Sequence, residues 1–158
     1  MRRLLIIVAL VFAHTAWSGD FEDGWDAYER KDYATAITKF RSSAEKGDVR
    51  SQNALGVMYE NGRGVAQDYA EAVRWYRLAA QQGDPIAQHN LSAMYLNGQG
   101  VSQDYVRAHM WSNIVAVSGV KQSIEYRDKI ASRMTPQQIE QAQRMARECM
   151  ASNFTKCD

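Results

Sequence analysis

Apolar residues recur along this chain at helical spacing. Leu55, Met58 and Tyr59 follow an i, i+3, i+4 pattern. Ala72, Trp75, Tyr76 and Ala79 do the same, and so do Ile139, Ala142, Met145, Ala146 and Cys149. No stretch shows the alternation of a strand, so the pattern predicts an all-α chain. The punctuation between stripes agrees. Asn61-Gly62 supplies a helix stop, because glycine tolerates the left-handed conformation of a helix end. Asp68 suits the N-cap of the following helix, and Glu71 three residues on predicts a capping box. Gly83 ends that helix, Asp84 caps the next, and Pro85 fits its first turn. Further along, a helix is predicted over 123–134. Thr135-Pro136-Gln137-Gln138 then opens the last one, with a second capping box.

The elements repeat. Shifted by 36 residues, Asp48–Gly83 falls on Asp84–Gly119 with 16 identities. Met58-Tyr59-Glu60-Asn61-Gly62-Arg63-Gly64-Val65 returns as Met94-Tyr95-Leu96-Asn97-Gly98-Gln99-Gly100-Val101, and Trp75 returns as Trp111. A degenerate copy precedes them: Asp32-Tyr33-Ala34 matches Asp68-Tyr69-Ala70, and Phe40 matches Tyr76. Its connection is shorter, with three residues between Tyr28 and Asp32 where eight separate Tyr59 from Asp68. The units are therefore read as 20–47, 48–83 and 84–119. Residues 120–151 form a helical cap on the last repeat, 152–158 a tail, and 19–151 one solenoid. A single hairpin cannot bury both of its faces, so neighbours must stack. Small residues such as Ala72 and Ala80 allow close approach within a hairpin. Trp25, Trp75 and Trp111 are expected to be core.

These residues resemble the Sel-one-like repeat, a relative of the tetratricopeptide repeats with a longer loop inside each hairpin. The likeness lies in Ala54-Leu55-Gly56-Val57-Met58-Tyr59, Asn61-Gly62-Arg63-Gly64-Val65, Asp68-Tyr69, Ala72, Trp75-Tyr76, Ala79-Ala80 and Gly83. The third unit departs from it at Ser92, Ser112 and Val115. The resemblance implies a right-handed α-solenoid of antiparallel helix pairs. It also implies an adaptor or scaffold role in protein complexes, in the periplasm or envelope for exported bacterial members. A cysteine-rich branch of the family has been linked to penicillin binding and β-lactamase activity. Its members carry a cysteine pair in each repeat, and these repeats carry none, so that activity is not transferred.

The first 18 residues change the picture of where the chain works. Arg2 and Arg3 precede an unbroken apolar run, Leu4 to Ala13, too short to span a bilayer comfortably. Ala16-Trp17-Ser18 places small residues at −3 and −1, so 1–18 reads as a signal peptide cut after Ser18. An uncut anchor is the competing reading. Periplasmic or secreted localisation follows from cleavage, with no membrane span afterwards. Cys149 and Cys157 then meet an oxidising compartment and are expected to form a disulfide, with two free thiols as the alternative. Net charge is +1, which gives no reason to expect nucleic acid as a partner.

No catalytic set stands out. Ser-x-x-Lys with its supporting motifs, Gly-x-Ser-x-Gly and His-Glu-x-x-His are all absent. The glycines of 61–64 and 97–100 lack the Gly-Lys-Ser/Thr ending of a phosphate loop and read as turns. His89 and His109 have no carboxylate or cysteine at ligand spacing, so neither a metal nor a cofactor is expected. The expected function is non-catalytic: a partner protein or peptide held on the concave face. Self-association, or a cell-wall hydrolase of β-lactamase type, are the alternatives. In this repeat class the first helix of each hairpin lines the concave surface. Side chains off its core stripe are Glu22, Asp26 and Glu29 in the first unit. They are Arg50, Asn53, Val57 and Glu60 in the second, and His89, Ala93 and Leu96 in the third. This predicts an acidic opening and a more apolar exit. Neither the partner's identity nor the oligomeric state is legible in the sequence.

Overall fold

The computed structural model describes residues 19–157. The predicted signal peptide therefore lies outside the described residues. Among the described residues eight helices follow one another: α1 (Asp20–Glu29), α2 (Tyr33–Glu45), α3 (Val49–Asn61), α4 (Tyr69–Ala80), α5 (Pro85–Asn97), α6 (Tyr105–Ala116), α7 (Lys121–Ala131) and α8 (Pro136–Ala151). Within each of the first three pairs the helices pack on each other, and α2·α3 and α4·α5 join the pairs. The result is an α-solenoid.

Side-chain caps set the helix starts. The carboxylates of Asp32, Asp48, Asp84 and Asp104 each accept the backbone N–H three residues on, at 2.7–3.2 Å. Asp68 accepts from both Ala70 and Glu71. Only half of the expected box forms there, because the Glu71 carboxylate turns outward to Arg74 at 3.0–3.1 Å. At Thr135 both halves form. Gly62 ends α3 in the left-handed conformation, φ 64°. Two residues on, a Cβ at Gly64 would lie 2.5 Å from the Tyr33 carbonyl oxygen, so the loop can press against the preceding hairpin only as glycine.

Among the described residues two buried clusters fill the solenoid. The first joins Phe40, Leu55, Met58 and Trp75, so Trp75 closes the junction with the preceding hairpin. The second joins Tyr76, Leu91, Met94 and Trp111 to Ile130 and to Ala142, Ala146 and Cys149 of the last helix. Buried glutamines stitch the junctions. Gln52 and Gln88 each donate to the carbonyl of the alanine eight residues back, Ala44 and Ala80, at 3.2 Å.

The cap is not a fourth hairpin. Helices α7 and α8 each pack principally on α6. Helix α7 buries only Ile130 fully and lacks a side-chain cap. A disulfide joins Cys149 to Cys157, with Cα atoms 4.6 Å apart, and folds the tail back so that the Phe154 ring lies against Gly83. Among the described residues no helix is long and apolar enough to cross a membrane.

Candidate functional site

Backbone hydrogen bonds fix which residues of the three hairpins correspond. Asp68 donates its N–H to the Tyr59 carbonyl and Asp104 to that of Tyr95, each at 2.9 Å. In the first hairpin Asp32 donates to Ala27, also at 2.9 Å. Ala27, not Tyr28, is therefore the counterpart of Tyr59. Packing gives the same register, since Gly24 faces the Phe40 ring as Gly56 faces that of Tyr76. The first connection is shorter by four residues, not by the five that pairing the two tyrosines implies.

This one-residue correction changes the first unit's candidate surface. The positions equivalent to Asn53, Val57 and Glu60 are Phe21, Trp25 and Tyr28, and those three, not Glu22, Asp26 and Glu29, line a groove. Its other walls come from Phe40, Arg50, Asn53, Ala54, Val57, Asp84 and Ile86, around a volume of about 380 Å³. Trp25 is 46% exposed and Ile86 59%, so the expectation that Trp25 is core fails. Helix α1 packs on α2 through Gly24 and Ala27, which leaves its large rings on the open side. Trp111, by contrast, is fully buried.

The ten expected lining residues divide four ways. Arg50, Asn53 and Val57 line the groove. Arg50 bonds Glu22 at 3.0 Å and Asp48 at 3.4 Å, and Asn53 accepts from Asn90 at 3.3 Å. Glu22 is thus the rim partner of Arg50, and Asp26 and Glu29 are exposed beside it on α1. Glu60 is engaged inside its own hairpin, accepting the Tyr76 hydroxyl at 2.5 Å. Burial and that carboxylate together push the Tyr76 hydroxyl's pKa well above its usual value. At the third unit, α7 approaches the same face. His89 lies 4.7 Å from the Tyr126 ring, and Leu96 shares a smaller cleft with Tyr126 and Ile130. Ala93 is half-buried. The expected apolar exit is therefore occupied by the chain itself.

Sequence reasoning missed Phe21, Trp25, Tyr28 and Ile86. The signal was present. Gly24 and Ala27 are the small residues through which a first helix meets its partner, and the aromatic stripe lies off that face. Among the described residues no group of three or more His, Cys, Asp or Glu is placed to hold a metal ion.

A model of the Sel1 repeat matches residues 49–84 and 85–113. The chain is similar to a protective antigen of uropathogenic Escherichia coli displaying an SLR fold, at 27% identity and a TM-score of 0.79. That match covers 85% of this chain and 31% of the antigen, so the chain spans about a third of that relative's length. It is also similar to a Sel1 repeat protein from Oxalobacter formigenes, at 33% identity and a TM-score of 0.63, covering 70% of this chain and 86% of the other. No curated protein matches.

Proposed function

Because the chain belongs to the Sel1 repeat family, whose members are generally protein-interaction scaffolds, we propose that it is a non-catalytic adaptor of the bacterial periplasm. In this reading it holds a segment of a partner protein in the groove between α1, α3 and α5. The observation that carries the proposal is the exposed indole of Trp25 at the centre of an apolar groove. Large exposed apolar surfaces on small folded domains mark interaction sites. Aromatic anchors in such sites supply most of the binding energy. Periplasmic placement rests on the N-terminal apolar run and on the Cys149–Cys157 pair, which an oxidising compartment keeps joined. Residues 1–18 are the proposed signal and 19–151 the proposed solenoid domain.

A photoreactive phenylalanine analogue at position 25 or 57, introduced in living cells, tests this reading. Cross-links to another protein from these positions, and none from the exposed Leu78 on α4, are the expected result. Cross-links only between copies of the chain indicate self-association instead, and none from either groove position removes the groove from consideration. Fractionation of the same cells, with the N-terminus of the recovered protein sequenced, checks export and cleavage.

A further inference from the structure

The groove is apolar but not neutral in its preferences. Its rings form a continuous run along α1 and into α2. Phe21 stacks on Trp25 with centroids 6.3 Å apart, Trp25 on Tyr28 at 5.7 Å, and Tyr28 meets Tyr33 edge-on at 5.3 Å. Both ends of the run already hold an arginine from the second hairpin. The guanidinium of Arg50 lies 4.0 Å over Phe21. That of Arg63 lies 5.5 Å over Tyr28 and 6.0 Å over Tyr33, and it also donates to the Tyr28 hydroxyl. The faces of aromatic rings carry negative charge density and attract such cations, the indole most strongly. Trp25 lies between the two arginine-bearing rings and is the most exposed of the run.

One carboxylate neighbours that indole along α1 and another lines the groove with it. Glu29, exposed, stands four residues along α1 from Trp25, whereas Asp26, one residue on, is turned about 100° away. Residues four apart are neighbours on a helix surface, so Glu29 lies one turn above the indole on its flank. Asp84 lines the groove as well. Glu22 is held by Arg50 and contributes less. The groove's own cation, Arg50, is already engaged by Glu22 and Asp48, so a basic group entering here meets a ring face with Glu29 on its flank and Asp84 in the lining. Past the indole the surface is aliphatic, Val57 followed by the exposed Ile86. Beyond it, α7 limits the length that can be bound.

Resting on the groove reading above, we propose that the occupant is a short segment of another protein carrying an arginine or lysine close to an aliphatic residue. The cation lies over Trp25 between Glu29 and Asp84, and the aliphatic side chain packs on Val57 and Ile86. Such pairing gives specificity through charge and affinity through apolar contact.

Selection from a random peptide library displayed on phage tests the proposal, using the protein expressed as the full chain with its disulfide intact. Sequences retained by the native protein but not by Trp25→Ala are expected to carry Lys or Arg within about four residues of Leu, Ile, Val or Met. A synthetic peptide of that kind is expected to bind the Glu29→Gln variant roughly three-fold more weakly, and binding to the native protein is expected to weaken as salt rises. Unchanged helical signal and melting temperature in both variants show that folding is not the cause. Trp25-dependent sequences that are uncharged or acidic overturn the cation preference and leave the groove standing. If no Trp25-dependent sequence emerges, groove and preference fall together. A Trp25-dependent dimer in size-exclusion chromatography makes a second copy the occupant and also overturns the proposal.

Discussion

Trp25 in α1 and Val57 in α3 occupy the same position in successive hairpins, and both line the groove. The repeat thus presents one surface twice, with a large ring in the first copy and a small aliphatic side chain in the second. At the third copy the position is held by Ala93 and the surface passes under α7. The same repeat position thus faces the proposed binding groove near the N-terminus and is half-buried near the cap.

The two tryptophan environments predict opposite outcomes for the same substitution. Trp25→Ala is expected to change stability by less than about 1 kcal/mol, since nearly half its surface is already in water. Trp111→Ala removes a fully buried ring at the junction of the second and third hairpins and is expected to cost about 3–5 kcal/mol. Urea unfolding of both variants checks this, and equal losses would contradict the exposure of Trp25.

Gly56 and Tyr76 form a size-matched pair. A Cβ at position 56 would enter the Tyr76 ring, so Gly56→Ser is expected to destabilise by about 1–3 kcal/mol. In the third hairpin the same two places hold Ser92 and Ser112, and the Ser92 hydroxyl donates to the Ala108 carbonyl at 2.6 Å. A double-mutant cycle with Tyr76→Ser is expected to show a smaller cost for Gly56→Ser in that background.

Glu60 is a hairpin residue more than a groove residue. Glu60→Ala leaves the Tyr76 hydroxyl buried without its acceptor, and a loss of about 1–3 kcal/mol is expected. Glu60→Gln keeps an acceptor and is expected to cost less. Thermal melts of the two variants separate these cases. Reduced ligand binding in Glu60→Ala alone therefore says little about the groove.

The disulfide closes a loop of eight residues' separation, and reducing it is expected to lower stability by roughly 2–3 kcal/mol. Because the tail seats Phe154 against Gly83, hydrogen exchange near the turn between α4 and α5 is expected to rise on reduction. Unchanged exchange there would count against a packed tail.

His109 predicts how the fold responds to acid. It is buried on α6 where its counterpart in the second hairpin is Val73, and its Nδ1 has no partner. Burial, and then the nearby Arg127, lower its pKa from 6.5, with Asp128 opposing. A base whose folded pKa is depressed takes up a proton more readily when unfolded. Its share of stability is therefore present above pH 6.5 and is lost as pH falls below that value. His109→Val is expected to flatten the dependence of melting temperature between about pH 7 and pH 5 relative to the native chain.

Most of the architecture was legible in the chain itself. The 36-residue period, the aspartate caps and the Asn-Gly stops are local signals, because each acts on backbone groups within a few residues. Even the buried glutamines appear as a repeated identity, Gln52 and Gln88. What local signals could not set was the register of the degenerate first hairpin. Matching Tyr28 with Tyr59 is reasonable by residue type, but on a helix one residue is 100° of rotation, enough to exchange an aromatic face for an acidic one. That choice was made by the hydrogen bond from Asp32 to Ala27 and by the fit of Phe40 over Gly24. Likewise, the apolar stripes of the cap predicted helices but not that both would settle on α6. Which side chains are left facing the groove depends on what each helix packs against, and those neighbours come together only in the tertiary structure.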